Sequence, residues 1–365
     1  MPSPLRIVVY VRAVSGGAGK NAVKYANILA EAGHEVTLAT GRAPQVDQFG
    51  LRRDLVRLEV LNVRRNIQVG PRLRRVIEGA RPDICLVVDM ANMLGLQLAL
   101  RGVDPQPRVI LREALYTWER NQMRSWFVRT QKAYVFRKGY ARADHVIALT
   151  DSMAEQIAEK WGVPRERITV IRNAVDVPDA PPERLPPDGP PTILCVARLT
   201  KQKNVGLLLD AFARLRRTRE ARLRIAGDGK LREQLERQAR RLGIAEDVTF
   251  LGHVSDVDSE YRRADLTVLP SRWEGFPNVI IESLAHGTPV VATDTPGAVE
   301  VLEGSGCGRI ARMDDADDLA RQVQAALDTS FSPQTLHAFA RKHAGDVLRD
   351  RVLALIDHET TAVPG

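Results

Sequence analysis

The sequence predicts two α/β domains, each a doubly wound parallel sheet, and three features carry the expectation. Short apolar runs alternate with helix-period segments in both halves, and a proline-dense stretch divides the halves. The chain, at 365 residues, also exceeds the roughly 250–300 at which single cores stop growing. In the first half the strand candidates are Arg6–Val11, Glu35–Ala39, Ile84–Val88, Arg108–Leu111 and His145–Ala148. Between the first two, Ala22, Val23, Ala26, Leu29 and Ala30 recur at helical spacing, so a helix is expected over Asn21–Ala32, ended by Gly33. Repeated strand–helix–strand units build a parallel sheet covered by helices on both faces.

Pro178, Pro181, Pro182, Pro186, Pro187, Pro190 and Pro191 are too many for a helix or an inner strand. Residues 177–191 are therefore expected to link a domain over 1–176 to a second over 192–345. The alternation resumes with strands Thr192–Val196, Arg222–Ala226, Val248–Leu251, Leu266–Leu269, Pro289–Ala292 and Gly308–Ile310. Helices are expected over Val205–Arg216, Lys230–Leu242 and Val279–His286, and 346–365 as a C-terminal helix packing back on the first domain. Doubly wound sheets bind ligands beyond the carboxyl ends of their strands, so two facing sheets would form a cleft.

Composition narrows the class. With 44% hydrophobic and 27% charged residues, the chain is neither a coiled coil nor collagen-like nor wholly disordered. No apolar run approaches the roughly 20 residues of a membrane span. The start, Met1 to Arg6, runs straight into Ile7-Val8-Val9-Tyr10-Val11, which reads as a buried strand rather than a signal peptide. Cys85, Cys195 and Cys307 lie far apart without metal-ligand spacing, as expected of thiols in a reducing compartment, and a cytoplasmic location is expected. Net charge is +8, but residues 1–180 hold 28 Lys+Arg against 18 Asp+Glu while 181–365 hold 25 against 27. The basic half points to an anionic surface or substrate, or to a plain arginine bias.

Four motifs bear on chemistry. Ser271-Arg272-Trp273-Glu274-Gly275-Phe276-Pro277-Asn278 follows a strand and opens a helix that carries Glu282. Its backbone N–H groups would meet an anion or a sugar hydroxyl. Glu274 and Glu282 would accept hydrogen bonds from vicinal hydroxyls, or Glu274 would simply supply negative charge at the helix start. Val196-Ala197-Arg198-Leu199-Thr200-Lys201-Gln202-Lys203 ends the first strand of the second half, placing Arg198 and Lys203 where fixed cations would stabilise a diphosphate leaving group. Gly227-Asp228-Gly229 is a side-chain-poor turn, open to close ligand approach or merely tight. Ser15-Gly16-Gly17-Ala18-Gly19-Lys20-Asn21 fails as a Walker A loop, because Val14 and Asn21 stand at required positions. It also fails as a dinucleotide fingerprint, because Ala22 stands where the third glycine belongs, and it is left as a flexible glycine loop suited to a phosphate or sugar. Asp256-Val257-Asp258 spells a metal-type D-x-D but lies at a helix start, where it reads as capping.

Taken in order, these motifs resemble the retaining nucleotide-sugar glycosyltransferases of family 4, across nearly the whole chain. Further landmarks are Gly33-His34-Glu35-Val36, Ala143-Asp144-His145-Val146, Ile171-Arg172-Asn173-Ala174 and Phe250-Leu251-Gly252-His253. The resemblance implies the GT-B architecture, two Rossmann-like domains with the acceptor on the N-terminal and the donor on the C-terminal side. It implies that Arg198 and Lys203 hold the donor diphosphate, while Glu274 with the backbone of Phe276, Pro277 and Asn278 binds the transferred sugar. It gives Glu282 the ribose, Gly227 and Asp228 a donor contact, His253 and Val254 the edge of the nucleobase, and Gly16 and Gly17 the phosphate. No cofactor and no metal are implied beyond the nucleoside diphosphate sugar, UDP-sugar being favoured by family frequency. The transferred group is expected to be a hexose or N-acetylhexosamine, and the acceptor a glycan or lipid-linked glycan. Two other readings share the fold: a nucleotide-sugar 2-epimerase and a non-catalytic sugar-binding relative.

One departure stands out. Many relatives carry a histidine just after the strand ending Val109-Ile110-Leu111, where this chain has Arg112 and Glu113, which are assigned to the acceptor side. Trp118–Arg142 interleaves seven arginines and lysines with Trp118, Trp126, Phe127, Tyr134, Phe136 and Tyr140. That mixture suits an anionic membrane surface, or equally a solvated helix with an aromatic core face. No base-reading module is visible, so nucleic acid is not an expected partner.

Overall fold

A computed structural model describes residues 3–14, 16–43, 46–63, 68–114, 126–185 and 189–361. The chain divides into two compact units, one of residues 1–173 with 348–365, the other of residues 174–347. Each is an all-parallel α/β sheet, a doubly wound Rossmann-like arrangement.

The first unit has seven strands: β1 (Arg6–Ala13), β2 (Glu35–Arg42), β3 (Val56–Val60), β4 (Ile84–Val88), β5 (Arg108–Arg112), β6 (His145–Ala148) and β7 (Ile168–Val170). They lie in the order β3-β2-β1-β4-β5-β6-β7. All five residues of β4 are buried, as a central parallel strand with helices on both faces requires. The first helix covers Gly16–Glu31 rather than starting at Asn21. Its glycines form the opening turn instead of a loop, and Gly19 has a packing reason: a Cβ there would lie 2.8 Å from the Val14 backbone. Asn21 Nδ2 donates to the Gly17 carbonyl at 2.9 Å, bracing that turn.

The helix Gly345–Thr361 belongs to this unit from Leu348 onward. Glu359, with a side chain only 3% exposed, meets Arg108 Nη2 at 2.6 Å and His145 Nδ1 at 3.0 Å. These partners stand at the start of β5 and β6. Burial lowers the His145 pKa although Glu359 opposes it, so a neutral ring fits, donating from Nδ1 to Glu359 while Nε2 meets Thr169 Oγ1 at 2.8 Å.

The second unit has six strands: β8 (Thr192–Val196), β9 (Arg222–Ala226), β10 (Val248–Gly252), β11 (Leu266–Leu269), β12 (Val290–Thr293) and β13 (Gly308–Ala311), in the order β10-β9-β8-β11-β12-β13. Leu223, Ile225, Leu266, Val268 and Val291 supply the sheet's side of its main core, against Leu208, Leu209 and Phe212 of the helix Val205–Leu215. The proline-rich stretch is part of this unit wherever it is described. Leu185 N donates to Arg262 O at 3.1 Å, Arg184 Nη1 to Thr288 Oγ1 at 2.9 Å, and His337 Nε2 meets Pro178 O at 2.9 Å. Prolines that suit neither helix nor inner strand thus form an extended strap held by its neighbours. Cys85, Cys195 and Cys307 are buried and unlinked, and burial pushes the Cys85 and Cys195 thiols up to about 12.

Candidate active site

The strand order of the second unit reverses between β8 and β11: the chain runs outward through β9 and β10 on one side and through β12 and β13 on the other. At such a switch point the loops leaving two adjacent strands diverge and open a crevice at their carboxyl ends. The loop after β8 carries Arg198 and Lys203, and the loop after β11 carries Glu274.

The two loops are stitched together. Arg272 N donates to Gln202 O at 2.8 Å, Gln202 Nε2 returns a bond to Trp273 O at 2.9 Å, and Lys203 Nζ meets Glu274 Oε1 at 2.5 Å. Side-chain exposure is 16% for Lys203 and 8% for Glu274, so the pair is largely shielded from water. The sequence assigned the lysine to the diphosphate and the glutamate to the sugar; here each is the other's partner. Glu274 is not a helix-start charge, since the following helix, Asn278–Ala285, begins after Pro277. Beyond the pair, Asp314 Oδ1 accepts from Arg272 Nε and Asn204 Nδ2, both at 3.0 Å, which ties the end of β13 into the same frame. The Arg198 side chain is exposed and makes no hydrogen bond or ion pair among the described residues, while its carbonyl accepts from Thr200 N at 2.8 Å.

Downstream, Phe276 is buried with its ring 5.5 Å from His343, and Asn278 N donates to Phe276 O at 3.1 Å. Glu282 lies one turn into the helix, half-buried, and accepts from Tyr261 Oη at 3.1 Å. On the other side of β8, Gly227 N donates to Gly252 O at 2.7 Å, so the turns after β9 and β10 hold one another. Asp228 and His253 are exposed there, whereas Val254 packs against the small core around Tyr261. Asp256 caps the helix Val257–Arg263, accepting from Ser259 N at 3.1 Å, as its position in the sequence predicts.

In the first unit the Arg112–Glu113 assignment meets a different environment. Arg112 is 1% and Glu113 0% exposed. Arg112 donates to Asn173 Oδ1 and lies over the Tyr25 ring at 5.6 Å, while Glu113 accepts from Tyr140 Oη at 2.8 Å and Ala114 N at 2.9 Å. In this geometry both side chains lie buried at the end of β5. Gly16 and Gly17 lie at the opening of the first helix, and a Cβ on Gly17 would meet nothing within 4 Å. Of the aromatic–basic segment, residues 118–125 lie outside the described residues. In the helix Trp126–Arg142, Tyr134 is 66% exposed beside Arg137 and Lys138, while Tyr140 is buried and stacks on Trp161 at 5.7 Å.

Sequence reasoning missed Gln202, Asp314 and Tyr261. Asp314 follows a strand end, a signal available in principle; Gln202 and Tyr261 act through partners 71 and 21 residues away, which spacing does not reveal.

Two family models cover these units in turn: Glycosyltransferase Family 4 matches residues 15–178, and Glycosyl transferases group 1 matches residues 176–343. The chain belongs to glycosyltransferase family 4. This glycosyltransferase is 28% identical to the glycogen synthase of Mycobacterium tuberculosis, over 91% of its own length and 87% of that protein's. It is also 28% identical, over 52% of each chain, to a Campylobacter jejuni N-acetylgalactosaminyltransferase named for a diphospho-undecaprenol substrate. Among solved structures, Anabaena HepE in complex with UDP and glucose superposes with a TM-score of 0.81 at 19% identity, covering 97% of this chain and 99% of that one. The fold is GT-B.

Proposed function

We propose that this glycosyltransferase moves a hexose or N-acetylhexosamine from a UDP-sugar to a glycan or lipid-linked glycan, with retention of anomeric configuration. The observation that carries the proposal is the shielded Lys203–Glu274 pair at the β8/β11 switch point, with Arg198 exposed beside it on the same loop. As the bond from the anomeric carbon to the β-phosphate oxygen breaks, negative charge builds on the diphosphate, and Arg198 and Lys203 stabilise it. Glu274 grips hydroxyls of the sugar as it becomes oxocarbenium-like. The acceptor oxygen bonds to the anomeric carbon on the face the diphosphate leaves, and its proton passes to the departing phosphate oxygen. With two cations at the leaving group, the proposal assigns no metal or other cofactor a role. HepE, a fold relative, binds UDP with glucose, which supports the choice of nucleotide.

Titration calorimetry against UDP-, GDP- and ADP-sugars tests this. The UDP-sugars are expected to bind most tightly, and Arg198→Ala to weaken all three donors alike because the diphosphate is common to them; tighter binding of a GDP- or ADP-sugar, or none of any, would overturn the donor assignment.

The acceptor proposal includes a cytoplasmic enzyme working at an anionic membrane surface through the 118–142 segment. No helix among the described residues is long and apolar enough to cross a bilayer, so contact would be peripheral. Vesicle flotation is expected to recover the protein with anionic but not neutral lipid, and to lose it as salt rises past roughly 0.5 M, where screening is short-ranged. Equal recovery on both lipids would end the membrane reading.

A further inference from the structure

We infer that Tyr261 is a positioning residue that aims Glu282 at the ribose of the nucleotide and thereby sets the enzyme's preference for ribose over 2′-deoxyribose. The inference rests on the proposed role of Glu282 as the ribose carboxylate, and adds to it the group that holds that carboxylate in place.

A tyrosine ring carries a large apolar surface and one polar tip, and when buried the tip needs a partner. Tyr261 is 1% exposed, its ring set among Leu194, Ala226 and Ala264 under the carboxyl ends of β8 and β9. Three contacts fix it. The His286 ring stacks on it at 5.5 Å with an interplanar angle of 21°. Thr288 Oγ1 donates to the Tyr261 carbonyl at 2.7 Å. The phenol donates to Glu282 Oε2 at 3.1 Å. His286 ends the helix that carries Glu282, and its Nδ1 meets the Glu282 carbonyl one turn back at 2.8 Å, so the ring stacked on Tyr261 belongs to that helix. Burial first, and the Glu282 charge second, raise the Tyr261 pKa well above the ordinary tyrosine value, so the hydroxyl remains a donor.

A glutamate has three rotatable side-chain bonds, and the phenol fixes the direction of one oxygen of this carboxylate. Fixing one oxygen from below selects the rotamer in advance of the ligand. Vicinal ribose hydroxyls then meet an acceptor already in place, and less ordering cost falls on binding. Loss of the 2′-hydroxyl leaves that acceptor short of a donor, and the penalty is larger for a fixed carboxylate than for one free to turn to water.

The test is calorimetric titration of UDP, ADP, GDP and their 2′-deoxy counterparts into wild type, Tyr261→Phe, Glu282→Gln and Glu282→Asp, with donor KM and kcat measured alongside. Wild type is expected to favour the ribose form of its preferred nucleotide by about tenfold or more, the scale of one hydrogen bond to a charged group. Tyr261→Phe keeps the ring and should cut that ratio several-fold and raise donor KM, with kcat changed less than about twofold. Glu282→Asp keeps the charge but withdraws the carboxylate by one methylene from both the phenol and the ligand, and should cut the ratio at least as far as Tyr261→Phe. A purely structural role would lower the melting temperature without moving the ribose ratio. If Glu282→Gln loses discrimination while Tyr261→Phe or Glu282→Asp retains it in full, the positioning role is overturned and the ribose role of Glu282 stands. If wild type itself binds ribose and deoxyribose forms alike, both fall together.

Discussion

Glu274→Gln is expected to lower sugar transfer by roughly 10²- to 10³-fold, the scale of losing one preorganised electrostatic contact to a transition state, with only a small change in melting temperature. Lys203→Met should lower transfer as strongly and also destabilise the fold by about 3 kcal/mol. The difference follows from burial. Lys203 Nζ is the cation 2.5 Å from a carboxylate that is 7% exposed as a residue, so removing it leaves a shielded negative charge without its partner. Stripping a fully buried ion of its partner costs about 3–5 kcal/mol, and the residual access of water to Lys203 argues for the lower figure. Neutralising Glu274 instead leaves a lysine whose side chain is 16% exposed, on a long stem that reaches solvent more easily than the shorter glutamate. The double variant Lys203→Met, Glu274→Gln removes both charges and should recover most of the lost stability while remaining inactive. Stability and activity therefore part company along the cycle. Thermal melts and initial rates on the four proteins decide it; a double variant as unstable as Lys203→Met would show that the pair does not carry the coupling, and activity within tenfold of wild type in Glu274→Gln would remove Glu274 from the site.

That pairing also marks how far the sequence could be read. The strands β4, β8 and β11 are continuous apolar runs bounded by turn residues, and periodicity finds them because both faces of each are buried. β3, with the sequence Val-Arg-Leu-Glu-Val, escapes because it is an edge strand with only its first residue buried. β7 escapes because three residues are too few to show a period. The helix Gly16–Glu31 begins five residues before the Asn21 start that its periodicity predicts, because glycine is a poor helix former and nothing local reveals that Gly19 must pass close to Val14. For the site, strand-end placement singled out Arg198, Lys203 and Glu274. Their roles were read one at a time, because the 71 residues between Lys203 and Glu274 close only when β11 docks beside β8, a fact of topology and not of spacing. For Arg112 and Glu113 the strand-end position is legible in the sequence, but their packing against Asn173, Tyr25 and Tyr140 is not, since those partners come from distant parts of the chain.

Gly227→Ala is expected to destabilise the second unit by about 4 kcal/mol or more, a loss that few single methyl groups bring about. Two costs combine. The backbone there has φ +137°, a conformation that side chains disfavour, and an added Cβ would lie 2.0 Å from the Ala197 carbonyl oxygen. Neither neighbour can yield, since Ala197 N donates to Ala226 O at 2.9 Å and Gly227 N to Gly252 O at 2.7 Å. The same turn anchors the loop of the candidate site, because Leu199 N donates to Asp228 O at 3.0 Å and Leu231 N to Leu199 O at 3.2 Å. Displacing Gly227 therefore displaces the strand end from which Arg198 and Lys203 are presented, and donor binding should fall with stability. Gly243→Ala separates the two costs: φ is +70° there but a Cβ would meet nothing within 4 Å, so only the left-handed penalty of about 1 kcal/mol applies. Thermal melts of the two variants measure the close-approach cost by difference. If Gly227→Ala melts within about 3 °C of Gly243→Ala, a gap of less than roughly 1 kcal/mol in a unit of this size, the turn does not press on the β8 loop as described.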